Sequence, residues 1–281
     1  MIHLASEHFF RKIPAALALF ICLVLLPNCD KEQVYIPYSA RPGSTPAPQA
    51  PAAPQSKTTP QLAERSLTDL GAPRTVYHEV GPLESVWRIA KMYDVTPESI
   101  CAANGLKPGE PLRAGQKLVI PNTRSLRQVV PLYPSRQWKY IIVHHTATGI
   151  GNARLLDTSH EDRGFWNGLG YHFLIDNGTM GKGDGLIEVA PRWIRQQGGA
   201  HCKAGRMNDR AIGVALVGNF SEEGPTPDQM VALGYLLKTL CKYYKIPYAN
   251  VRGHREVEGA ATECPGKKFP MIRVRQLLSS Y

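Results

Sequence analysis

Two rhythms of apolar residues run through the last half of the chain. Short stretches at 140–145, 171–176, 187–189, 212–218 and 250–253 are apolar at nearly every position, the pattern of strands buried on both faces. Other stretches repeat at helical spacing. In 227–244, Met230, Leu233, Leu237, Leu240 and Tyr244 fall on one stripe behind a Thr-Pro-Asp start, and 270–278 predicts a closing helix. Asn177-Gly178 marks a turn between strands. Strands of this kind interleaved with helices predict an α/β fold over 135–281, a central mixed sheet flanked by helices.

A smaller pattern precedes it over 75–122. Val76 and Val80 open a short strand; Val86, Ile89, Ala90 and Tyr93 recur as on a helix; Thr96 with Glu98 and Ser99 starts a second helix; 117–120 alternates before Pro121. The order is strand, helix, helix, strand. On either side the pattern fades: 38–61 reads YSARPGSTPAPQAPAAPQSKTTPQ, and 123–134 is a connector rich in Arg and Pro. Segment 30–74 is therefore expected to be a disordered Pro/Ala-rich tether. Ahead of it, Arg11 and Lys12 precede fifteen apolar residues, 13–27. That is shorter than the ~20 needed to span a bilayer and reads as a secretory signal over 1–29.

Composition adds a globular core and an anionic partner. The 281 residues are 43% hydrophobic with a formal charge of +10. The charge suits nucleic acid, acidic lipid or a bacterial wall rich in carboxylates and phosphates. Export and the lack of an aromatic-basic recognition motif argue against nucleic acid. Of six cysteines, Cys22 would leave with the signal. Leu26 stands three before Cys29, and the segment LLPNC resembles a bacterial lipobox, although Asn28 stands where a small residue is usual. The resemblance implies a lipidated Cys29 and an envelope lipoprotein facing the periplasm. Cys101 falls on the second small helix, as a buried thiol, and pairing of Cys202 with Cys241 is open.

The candidate chemistry begins at IIVHHTAT. On a strand His144 and His145 point to opposite faces, so at most one of them enters a common site; parity does not say which. In VRGHREVEGAATECPG, His254 ends a short strand and Cys264 follows ten residues later, before a Pro-Gly turn. One strand-end histidine with these two would leave a fourth tetrahedral position open, the mark of a catalytic zinc site.

Two resemblances sharpen these readings. Residues 75–122, with GPLES, SVWRIAKMYDV, ANGL and GQKLVIP, resemble a LysM domain, which implies a βααβ fold binding N-acetylglucosamine-containing glycans, mainly peptidoglycan. Over 138–270, WKYIIVHHTAT, GLGYHFLIDNGT, GGAHCKAGRMNDRAIGVALVGNF, PTPDQMVALGYLL and RGHREV followed by TECPG resemble the zinc-dependent N-acetylmuramoyl-L-alanine amidases, a family shared with phage lysozyme and peptidoglycan recognition proteins. The resemblance implies zinc ligands at His144, His254 and Cys264. It also implies Tyr171 beside the metal as oxyanion donor, and Thr262 as a hydrogen-bonding group where relatives carry lysine or threonine. His201 and Asn208 fall in the loop that lines the family's substrate groove. His145 and His172 are expected to face away from the site by parity. The intracellular branch of the family carries a glutamate on the strand matching AIGVALVG. Ala215 and Val217 stand there instead, leaving Glu256 or Glu258 as substitutes only if their loop turns inward. Arg192, Arg195, Arg206 and Arg252 read either as contacts for stem-peptide carboxylates or as a solvated basic face. The function implied is hydrolysis of the amide between N-acetylmuramic acid and L-alanine, with non-catalytic peptidoglycan binding as the alternative.

Overall fold

A computed structural model describes residues 60–135, 137–162 and 168–279. The signal, Cys29 and residues 30–59 of the expected tether lie outside the described residues.

Strand β1 (Gln61–Glu79) runs into two short helices, α1 (Val86–Tyr93) and α2 (Pro97–Asn104), and returns as β2 (Lys117–Leu132). The helix starts follow from local chemistry. Ser85 accepts from the Arg88 N–H and Thr96 from the Ser99 N–H, satisfying donors that a helix start leaves without partners. Gly105, with φ of 64°, ends α2 in the left-handed region. Val80, Ile89, Ala90, Ile100, Leu118 and Ile120 form a small core of their own. This is the βααβ unit the sequence predicts.

Its flanks depart from expectation. Segments 61–69 and 125–132, read as tether and connector, pair with each other as an antiparallel ribbon, Gln61 opposite Leu132 and Asp69 opposite Ser125. The ribbon is held from outside. Val130 and Leu132 of β2 bury in the main core of the following domain, a non-local stabilisation that composition does not report.

That domain is a five-stranded mixed sheet in the order β5-β4-β6-β3-β7. It contains β3 (Tyr140–His145), α3 (Ala153–Asp162), β4 (Phe173–Asn177), β5 (Asp184–Val189), α4 (Pro191–Ile194), α5 (Met207–Arg210), β6 (Ala211–Leu216), α6 (Pro227–Tyr244), β7 (Val251–Gly253) and α7 (Met271–Ser279). β3 lies parallel between β6 and β7, β4 is parallel to β6, and β5 turns back antiparallel to β4. Strand parity sorts the core. Ile141, Val143, Ile212 and Val214 face α6 and α7, while Ile142 faces α5 with Cys202 and Met207. α6 starts on a capping box between Thr226 and Gln229 and buries the Met230, Leu233, Leu237, Leu240 stripe.

The same sorting answers the open disulfide question. Cys202 packs beside Ile142 and Cys241 packs on the α6 face, so the sheet separates them and no disulfide joins the two. Burial pushes the Cys241 thiol up to about 12. Cys101 is on α2 as expected, but half-buried instead of buried.

Candidate metal centre

In open α/β sheets the loops beyond the carboxyl ends of parallel strands collect ligands, because side chains from separate strands converge there. His144 sits near that end of β3, and His254 directly follows β7, the neighbouring strand. Cys264 arrives on the loop after His254. That loop is pinned where it needs to be: Arg255 N–H donates to the Cys264 carbonyl at 2.8 Å. Arg255 Nη1 donates to the Gly266 carbonyl at 3.0 Å. Gly266, with φ of 104°, presses against the Phe220 backbone where any Cβ would overlap it.

The ligand-capable atoms of His144, His254 and Cys264 all lie within 4.8 Å of one another. His144 Nδ1 is 3.5 Å from Cys264 Sγ, and the two imidazole rings have centroids 4.7 Å apart. Zinc bound tetrahedrally at ~2.05 Å to nitrogen and ~2.3 Å to sulfur requires an N···S edge of about 3.6 Å. The donor set and its His144–Cys264 edge therefore fit zinc. Burial holds His144 well below the ordinary histidine range, helped by the nearby His201 and His254, so its ring is neutral and available as a ligand.

Around these three, Tyr171 is buried with its ring 5.1 Å from that of His144. The His160 ring lies tilted against that of Tyr171, centroids 5.8 Å apart, and its Nδ1 accepts from the Gly170 N–H at 3.0 Å. His160 was not singled out in the sequence, because its signal lay in α3, where no apolar stripe announced a helix. Thr262 Oγ1 accepts from the Cys264 N–H at 3.1 Å, which shapes the ligand loop and leaves the hydroxyl proton to donate. Ala215 is aligned with His144 on β6 and, like Val217, is fully buried, so the wall at the family's glutamate position is apolar. Glu256 is turned away: it accepts from Gly253 N–H at 2.8 Å and pairs with Arg275, and Glu258 is exposed.

The parity expectation for the doublet matches the geometry. His145 Nδ1 accepts from the Phe220 N–H at 3.1 Å on the α6 face. His172 also turns from Tyr171, between Trp138 and Trp193, accepting from Gly213 N–H and donating to the Gln197 carbonyl. The two residues read as groove contacts are engaged within the molecule instead. His201 is 8% exposed. Its Nδ1 lies 3.0 Å from His144 Nε2 and its Nε2 lies 3.3 Å from the Ala211 carbonyl. Asn208 Oδ1 accepts from the N–H groups of His201 and Cys202, because the tight 199–208 loop needs an internal acceptor. Arg192 corrects the basic-face reading in the same way: it is buried and donates to the carbonyls of Leu169 and Gly198. Arg206 pairs with Asp209 at the surface, and Arg252 lies over the Tyr140 ring.

With this geometry in hand, comparison with known proteins gives a consistent picture. The family model described as N-acetylmuramoyl-L-alanine amidase matches residues 134–267, and that of the LysM domain matches 78–121. Peptidoglycan-recognition protein SC1a of Drosophila melanogaster is 31% identical over 136 residues, 45% of this chain and 67% of that protein. Peptidoglycan-recognition protein LB of the same organism is 32% identical over 144 residues, 46% of this chain and 55% of that protein. Among solved structures, an endolysin N-acetylmuramoyl-L-alanine amidase from Clostridium intestinale is 35% identical. That alignment covers 50% of this chain and 84% of the endolysin, with a TM-score of 0.44.

Proposed function

Because the chain belongs to the family of N-acetylmuramoyl-L-alanine amidases and peptidoglycan recognition proteins and carries a LysM domain, we propose that it is a zinc-dependent hydrolase of peptidoglycan. The bond cut is the amide between N-acetylmuramic acid and L-alanine. The observation that carries this reading is the convergence of His144, His254 and Cys264 at the end of the central strands, with His144 Nδ1 3.5 Å from Cys264 Sγ. A binding-only relative has no need of a third, thiolate ligand.

Bound zinc would supply a Lewis acid for the scissile carbonyl and lower the pKa of a coordinated water toward ~7. The chain's own groups do the rest. His144 and His254 would hold the metal as neutral imidazoles, and Cys264 would hold it as a thiolate, its nucleophilicity spent on coordination. Tyr171, pressed against His144, presents its hydroxyl as a donor where negative charge grows on the carbonyl oxygen. Thr262 offers the proton its hydroxyl still carries, a neutral and correspondingly modest contribution. The apolar wall of Leu174, Ala215 and Val217 keeps bulk water from that side and strengthens each of these interactions. LysM keeps the enzyme on the glycan, and lipid on Cys29 anchors it to a membrane of the bacterial envelope.

The test is mass spectrometry of purified sacculi digested by the protein. Stem peptides beginning with L-alanine are expected to appear, to vanish with a chelator and to return with zinc. His144→Ala and Cys264→Ser should each abolish release. Release that survives either substitution sinks the reading, and a protein that retains sacculi while releasing nothing is a binding protein.

A further inference from the structure

We propose that His201 is a positioning residue of this centre, holding His144 by Nε2 so that Nδ1 faces Cys264 and His254. The inference rests on the zinc reading above and goes past it, to the tautomer of one ligand and what sets it.

The chain of donors starts from a group with only one possible role. The Ala211 carbonyl accepts, so the His201 nitrogen 3.3 Å from it, Nε2, carries the hydrogen. In a neutral ring Nδ1 is then the acceptor, and its partner His144 Nε2, 3.0 Å away, must donate. A neutral His144 protonated at Nε2 has its lone pair on Nδ1, the atom 3.5 Å from Cys264 Sγ. The main chain of β6 thereby selects, through His201, which nitrogen of His144 meets the metal.

The surroundings are shaped around that ring. A Cβ at Gly199 or at Gly213 would overlap the His201 imidazole, and Gly213 interrupts the otherwise side-chain-bearing run of β6. The backbone of His201 is fixed as well: its N–H donates to Asn208 Oδ1 at 2.8 Å. Gly199 N–H donates to the Asn208 carbonyl at 2.8 Å, and Ala200 N–H to that of Gly170 at 2.9 Å. Two glycines and an asparagine that otherwise look like loop punctuation thus serve one imidazole. The site gains a ligand held in register before any metal arrives.

The experiment uses the full chain as wild type, His201→Ala and His201→Asn. Zinc affinity is read by competition with a chromophoric chelator, and ligand geometry by the visible spectrum of the cobalt-substituted protein. His201→Ala is expected to weaken zinc binding about 10–100-fold and alter the cobalt spectrum. His201→Asn, whose Oδ1 falls where Nδ1 was, should recover most of both. Wild-type affinity and spectrum in His201→Ala overturn the proposal, as does a folded His201→Asn that binds zinc ten-fold or more worse than wild type. Should His201→Ala fail to fold, the asparagine variant decides alone. Wild type serves as the control for the reading beneath: if it takes up no zinc, that reading fails, whereas equal zinc binding by wild type and His201→Ala fails only this inference.

Discussion

His144 and His145 share a peptide bond and have opposite fates. One points to the cluster with His254 and Cys264, and the other accepts from the Phe220 N–H behind the sheet. The alternation of strand side chains makes that division, and substitution should expose it. His145→Ala is expected to keep zinc affinity within a factor of two of wild type while costing about 1–2 kcal/mol in urea unfolding, since a buried N–H loses its acceptor. Zinc loss from His145→Ala would show the faces assigned wrongly. His172 makes a second prediction at the level of one ring. Burial pushes it down to about 4, outweighing its hydrogen bond to the Gln197 carbonyl, which acts upward. In the unfolded chain it returns to the ordinary range near 6.5. The unfolded state therefore takes up the proton first as pH falls. Stability is full above pH 6.5, is lost between 6.5 and 4, and levels off below, with on the order of 3 kcal/mol owed to this group. Urea midpoints of the metal-free protein should trace that fall and His172→Gln should flatten part of it; a flat wild-type profile over that window contradicts the assignment.

Among elements, α6 and β3 were legible almost to the residue. Each carries its own cause: a capping box and an apolar stripe for α6, an unbroken buried run for β3. Both are local patterns. Helix α3 was not legible, since only Ala153, Leu156 and His160 are buried and polar residues fill its second half, from Asp157 to Asp162. The helix-to-sheet contact contains one feature that periodicity misreads. Gln229 lies within the buried face of α6 and donates to the carbonyls of Ile175 and Val217, tying the ends of β4 and β6 to the helix start. Gln229→Leu preserves size and apolar pattern yet is expected to cost about 2 kcal/mol, because the Val217 carbonyl and the Thr226 N–H lose their partners. A urea midpoint equal to wild type would mean that water replaces the amide there at no cost.

Over the whole molecule, the LysM unit does not hang free of the amidase-family domain. Arg88 is buried where the two meet, donating to the carbonyls of Val129 and Ile187 at 3.2 and 3.4 Å and pairing with Glu84 at 3.0 Å. Lys182 reaches the Glu79 carbonyl at 2.8 Å from the other side. His78, Arg88 and Lys182 hold the Glu84 carboxyl far below the usual carboxylate range despite its complete burial, which by itself would raise it. Removing one partner of such a buried pair leaves an uncompensated charge, so Arg88→Ala should loosen the docking by about 3 kcal/mol. Limited proteolysis should then cut the β2 segment between the units faster, with zinc content unchanged. An unaltered digestion pattern would count against the docked arrangement.

That docking marks the boundary between two kinds of information. Helix caps, strand parity, the βααβ order and the candidate trio of His144, His254 and Cys264 were readable along the chain, because each depends on residue type at short spacing or on phrases that keep their order. The pairing of 61–69 with 125–132, the separation of Cys202 from Cys241 by the sheet, the burial of Arg192 and the approach of His201 to His144 were not. Each is a contact between residues far apart in sequence, created when the core closes, and no spacing of one-letter codes carries the distance between them.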